Sequence, residues 1–164
     1  MDTDVAALRT LSDTGDFTDT LRVRASVGLR TFVAGALGWA PGWLRFLYWT
    51  RGLFARMLRT AHPVVRPGSG GMRPEDVPFT PGGRIGFFSV VEGVEDHHLL
   101  LEASDSHLAA YLAIVADGED RYRMVTVIRY LHWTGRLYFL VIRPFHWLVV
   151  RGMARAGALG RWNT

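Results

Sequence analysis

Between residues 16 and 24 polar and apolar positions alternate: Phe17, Leu21 and Val23 share one parity, and Asp16, Arg22 and Arg24 the other. This is the period-two pattern of a half-buried strand. At Leu29 the period changes. Phe32, Val33, Ala36 and Leu37 fall three or four apart, which predicts a helix. Ala40-Pro41-Gly42 breaks that helix, and Pro41, at a first-turn position, restarts a second one over about 41–59. The apolar stripe of this second helix is Trp43, Phe46, Leu47, Leu53, Phe54 and Met57, with Arg45, Arg56 and Arg59 on other faces. Residues 61–83 hold most of the prolines and a Gly-Ser-Gly-Gly run, a composition that predicts a loop. Four alternating segments follow, at 84–92, 97–104, 107–116 and 122–131, joined by turns short enough to require antiparallel neighbours. The last predicted element is a helix over about 135–159, with Thr134 as its N-cap and Pro144 kinking or splitting it.

Strand, helix, helix, meander and long helix make an α+β chain. Such a sheet has one hydrophobic face, and a long C-terminal helix lying across it supplies the cover. The chain has 164 residues and is 49% hydrophobic, which suits one domain, with 1–15 a flexible or helical leader and 61–83 an internal loop. After the meander come Gly135-Arg136-Leu137-Tyr138-Phe139 and Pro144-Phe145-His146. These segments resemble the domain-of-unknown-function family 2867, commonly placed in the START-like, birch-pollen-allergen-like (SRPBCC) superfamily. The resemblance covers most of the chain, more closely over 84–155 than over 16–59. It implies a helix-grip fold, with a curved antiparallel sheet wrapped around the C-terminal helix and a cavity between them. It does not imply a reaction. Related domains in that family also occur fused behind dinucleotide-binding domains; here a dehydrogenase role would need a separate protein and is not expected.

Arg123 and Arg129 mark the outward parity of the 122–131 strand, so Tyr122, Met124, Thr126, Ile128 and Tyr130 are expected to face the helix. On 107–116, however, both parities are apolar: Leu108, Ala110, Leu112 and Ile114 on one side, Ala109, Tyr111, Ala113 and Val115 on the other. A sheet with one wet face should not read that way. The outer parity is expected to be covered by a second copy in a homodimer, or to consist of scattered surface residues. The expected binding wall is Leu108, Ala110, Leu112, Ile114, Met124, Thr126 and Ile128, joined from the helix by Arg143 and His146.

Composition narrows the classes. All 19 basic residues are arginine, which fits the coding bias of a GC-rich bacterial genome, and the formal net charge is +4. The arginines spread from Arg9 to Arg161 without a block or an aromatic-interleaved stripe, so no nucleic-acid partner is expected. Cysteine is absent, which removes disulfides, thiolate metal sites and a cysteine nucleophile. An acidic N-terminus without an apolar run gives the cytoplasm as the expected compartment. The uncharged run 31–44 is too short for a membrane span and contains Pro41, and 137–150 carries Arg143-Pro144. No transmembrane segment is expected, although 31–49 has the character of a segment that lies on a bilayer surface.

Candidate chemistry is sparse. Glu92, Glu95, Asp96, His97 and His98 are metal-ligand types clustered across a turn, but without helical His-x-x-x-His spacing they read as a solvated hairpin loop. Glu102, Asp105 and His107 are either an acid/base set converging on the cavity or turn residues. His132 and His146 read as packing histidines of the last helix. Arg143 must snorkel outward, meet Glu92 or Glu102, or anchor an anionic ligand head. No Gly-x-Gly-x-x-Gly, P-loop or nucleophile elbow is present, and no cofactor or metal is expected. The expected function is non-enzymatic binding of a small apolar or amphipathic molecule. A cyclase- or hydratase-type enzyme, or an interaction module whose 6 Trp and 9 Phe help fill its own cavity, stand as alternatives.

Overall fold

The computed structural model describes residues 6–39, 41 and 72–160; the second helix expected over 41–59, beyond Pro41, and residues 61–71 of the expected loop lie outside them. The elements in order are α1 (Ala6–Thr14), β1 (Phe17–Arg24), α2 (Leu29–Gly38), a 3₁₀ turn (Pro74–Asp76), β2 (Arg84–Ile85), β3 (Phe88–Val94), β4 (His98–Ser104), β5 (Leu108–Ala116), β6 (Arg121–Tyr130) and α3 (Trp133–Ala158). The strands form one curved antiparallel sheet in the order β1-β6-β5-β4-β3-β2. With the long C-terminal helix this is an α+β architecture consistent with a helix grip.

Two boundaries differ from the sequence expectation. The expected strand 84–92 is a small hairpin: Ile85 pairs with Phe88 across a two-residue loop whose first residue, Gly86, has φ +60°. A two-residue hairpin loop favours positive φ at that position, and glycine adopts it without a Cβ clash. The last helix starts two residues early. His132, in an extended conformation, is its N-cap, and Thr134 lies inside the first turn, where its hydroxyl contacts His107 Nδ1 at 2.8 Å. Pro144 does not split the helix. The carbonyl it deprives of a partner belongs to Leu140, on the exposed side, where water can serve.

The sheet is covered on both faces. On the inner face, α2 and α3 bury Leu99, Leu101, Leu112, Ile114, Tyr122 and Met124, in a core shared with Phe32, Val33 and Ala36 of α2 and Val150 and Ala154 of α3. The two helices meet backbone to backbone: a Cβ at Gly35 would stand 2.7 Å from the Ala156 carbonyl oxygen, and one at Gly157 would stand 2.8 Å from the Phe32 oxygen. Residues 31–38 are therefore core, not a membrane-lying segment. On the outer face, Leu8, Ala7 and Leu11 of α1 pack on Leu100, Ala113, Val115, Val125 and Val127. The doubly apolar strand thus has an explanation within one chain. Its outer parity is the seat of α1, whose i, i+1, i+4 apolar spacing supplies the matching stripe.

Candidate functional site

The inner-face rows follow from the strand register. Phe17, Ile128 and Ala110 form one row; Asp19, Thr126, Leu112 and Leu101 the next; Leu21, Met124, Ile114 and Leu99 the third. All seven wall residues expected from parity therefore lie on this face. Leu108, Leu112, Ile114, Met124, Thr126 and Ile128 are buried and Ala110 half-buried. The first turn of α3 is pinned over this wall at its glycine, since a Cβ on Gly135 would fall 2.2 Å from the His107 carbonyl oxygen. Phe139, buried, then places its ring 4.9 Å from that of Phe17.

His146 reaches the same face two turns later. Its ring lies edge-on to Phe17 at 6.0 Å, and its Nε2 is 3.8 Å from a carboxylate oxygen of Asp19. Asp19 is the register partner of Thr126, so three polar side chains gather on an otherwise aliphatic and aromatic wall. The separation of His146 and Asp19 exceeds hydrogen-bond length. His146 Nε2 is buried and, among the described residues, makes no hydrogen bond. Burial holds the imidazole below its usual range, with the Asp19 charge pulling the other way.

This shift carries a sign. The unfolded chain takes up a proton near pH 6.5, the ordinary imidazole value, while the folded chain resists it, so stability is full above that value and falls as pH drops below it. Denaturant unfolding at pH 7.5 and 5.5 should show the wild type losing more stability than His146→Phe. An equal loss in the two would mean that His146 titrates normally in the fold.

Asp19 is legible in the sequence. It shares the parity of Phe17, Leu21 and Val23, and a carboxylate on the apolar parity of a strand is a break in pattern that asks for a partner.

The other candidates scatter. Arg143 meets neither Glu92 nor Glu102; it is exposed, with its guanidinium 5.4 Å from the centre of the Phe17 ring, at the rim of the wall. Asp105 accepts from the backbone N–H groups of His107 and Leu108 at 2.8 and 3.0 Å, the work of a turn residue. Glu102 accepts from Tyr111 at 3.2 Å on the outer face, away from the wall. His107 binds Thr134, and the exposed His132 approaches the same hydroxyl at 3.1 Å.

The acidic and histidine cluster is spread around its hairpin. Glu95 is held by Arg30, which also donates to the Pro74 and Val77 carbonyls, while buried His98 turns towards Glu92 at 3.3 Å. Among the described residues no three such side chains are arranged to hold a metal ion. An open recess of about 290 Å³ is lined by Arg22, Val23, Arg24, Asp117, Arg121 and Tyr122 at the far end of β1 and β6, away from the wall. No helix among the described residues is long and apolar enough to cross a membrane.

No curated protein matches the chain. A family model described as a protein of unknown function, DUF2867, matches residues 11–153, from within α1 to the last turns of α3. The match takes in every described strand, α2 and most of α3, so the chain belongs to the DUF2867 family.

Proposed function

We propose that this protein takes up a small apolar or amphipathic molecule between the inner face of the sheet and α3 and releases it unchanged, as a member of the START-like helix-grip superfamily. The observation that carries this reading is the buried Nε2 of His146. A buried polar atom without a partner is uncommon in a folded protein, and each one asks for an explanation. Here it sits 3.8 Å from Asp19, whose register partner is Thr126, and beside the rings of Phe17 and Phe139. The arrangement of an apolar wall with a few convergent polar groups is that of a small-molecule site. A hydroxyl or carboxyl group of the ligand would satisfy the imidazole, and its hydrocarbon part would lie along Ile128 and Ala110.

The same pair supports a second reading. A histidine beside a carboxylate is the minimal acid/base set of a cyclase or hydratase, with His146 moving a proton and Asp19 orienting it. The 3.8 Å separation and the low proton affinity of the buried imidazole favour binding over proton transfer. The cytoplasm is the compartment that suits either reading.

An amphipathic fluorescent fatty acid serves as probe. Wild type is expected to bind it saturably. Ala110→Trp, which places a large ring against Ile128, is expected to weaken uptake by at least about tenfold while far-UV circular dichroism is unchanged, and His146→Ala to weaken it by a smaller factor. Absence of saturable uptake by the wild type would sink the binding reading. Turnover of a polyketide-like or enoyl substrate that disappears in His146→Ala would replace it with the enzyme.

A further inference from the structure

α3 presents a second surface, opposite the wall. At about 100° per residue, Trp133, Leu137, Leu140, Val141, Trp147 and Leu148 fall on one side of the helix. Each of them is half or more exposed, from 50% at Leu148 to 71% at Trp133. This stripe runs for four turns and is larger than the scattered apolar residues normal on a protein surface. Its inner counterpart, Gly135, Phe139, Val150, Ala154 and Gly157, is buried. The helix is thus apolar on both faces, and among the described residues only the inner one is buried.

Charge identifies what fits the unused face. Arg136 and Arg143 flank the stripe along one side, and Arg151 caps its C-terminal end with its guanidinium 3.6 Å from the centre of the Trp147 ring. No Asp or Glu occurs in α3, and the last acidic residue of the whole sequence is Asp120. A second copy seated on this face would bring arginine against arginine with no carboxylate on either helix. Residues 42–71 would meet the same obstacle, because that segment carries Arg45, Arg51, Arg56, Arg59 and Arg66 and no acidic residue.

An anionic bilayer removes the conflict. Its phosphates accept the guanidinium groups, its acyl chains take Leu137, Leu140 and Val141, and Trp133 and Trp147 suit the boundary between the two. We propose that the outer face of α3 docks this protein on the surface of an anionic lipid membrane, with the helix lying in the plane of the interface. Apart from Arg143, whose guanidinium also leans on Phe17 at the rim, the inner wall plays no part in this contact, so the proposal stands apart from ligand uptake.

Flotation with vesicles tests it. Vesicles of equal parts phosphatidylglycerol and phosphatidylcholine should carry the full chain upward, and phosphatidylcholine alone should bind on the order of 100-fold more weakly, since three arginines near an anionic surface contribute roughly fivefold each. Binding to the anionic vesicles should fall as NaCl rises from about 0.1 to 0.5 M, where the screening length shortens towards that at 1 M. Leu137→Glu/Val141→Glu should lose flotation while keeping wild-type thermal unfolding and probe uptake, both residues being exposed. Arg136→Ala/Arg143→Ala should weaken binding to the anionic vesicles and leave the weak binding to neutral ones unchanged. Absence of flotation by the wild type, or equal flotation by wild type and the Leu137/Val141 variant, would overturn the proposal. A wild-type dimer that ignores vesicles and becomes monomeric in that variant would assign the face to a second copy instead.

Discussion

Phe32→Ala should lower the unfolding free energy by about 3–5 kcal/mol, the range for removing a fully buried phenyl ring from a core that cannot close over the gap. Three features keep the gap open. The ring is fully buried and stacked on Tyr122, with centroids 4.4 Å apart and planes 18° from parallel, so its loss also removes an aromatic contact. Its other edge faces Gly157, which has no side chain to move in. Tyr122 cannot follow, because its hydroxyl donates to the Val27 carbonyl at the entrance to α2. Ser26→Ala, at an exposed position three residues before the helix, is the control and should stay within about 0.5 kcal/mol of wild type. Urea unfolding of both variants measures the difference. A loss below about 1 kcal/mol in Phe32→Ala would mean that α2 is not cemented to the sheet through this ring.

Where one face of an element is buried and the other wet, the amino-acid pattern alone located it. β1 begins and ends within one residue of the expected bounds, because its parities separate charged from apolar side chains and a slip by one would expose the core set, and β4, β5 and β6 do so too although Leu100, Ala113, Val115, Val125 and Val127 carry apolar side chains onto their outer face. α2 announced itself by the change to helical period at Leu29, although its middle, Phe32 to Ala36, is buried all round. Prediction failed where local chemistry outweighed periodicity. The 84–92 segment keeps alternating straight through a turn, and only the backbone freedom of Gly86 marks the reversal. The start of α3 was misplaced because Thr134 looks like a cap, whereas its hydroxyl is engaged by two histidines from outside the helix end. The two apolar parities of β5 were visible, but what covers the outer one was not. α1 is only nine residues long, and three of its four apolar positions, Ala7, Leu8 and Leu11, gave little sign that they would pack on a sheet face about a hundred residues away.

The candidate site divides along the same line. Its apolar wall was readable because period two assigns every second residue to one face. Its polar centre was not, because the meeting of Asp19 and His146 depends on β1 pairing with β6 at the far end of the chain and on α3 returning across that pair. Arg143 shows the converse. A charged residue in an apolar segment asks for a carboxylate on sequence grounds, but a position near the outer stripe of α3 lets it remain in water and lean on the Phe17 ring.

Ile128→Ala and Arg129→Ala test the register that holds this wall together, and they should differ widely. Ile128, only 4% exposed, lies between Phe17 and Ala110 in its row. Deleting its outer methyl groups should cost about 2–5 kcal/mol, in the upper part of that range because Ala110 is too small to fill the space. Arg129 is one residue on and points the other way, exposed on the outer face, where its charge favours ionisation of the nearby Tyr111 against the larger opposing effect of burial. Its truncation removes a solvated guanidinium and should change stability by no more than roughly 0.5 kcal/mol. A side-chain period of two separates the outcomes: a register shifted by one would exchange the two effects, and equal effects would mean that β6 is not half in and half out at this point. Denaturant unfolding of the pair therefore decides whether Ile128 belongs to the wall that also carries Ala110 and Thr126. If it does, Ala110→Trp can be read as filling a site rather than disrupting an unrelated surface.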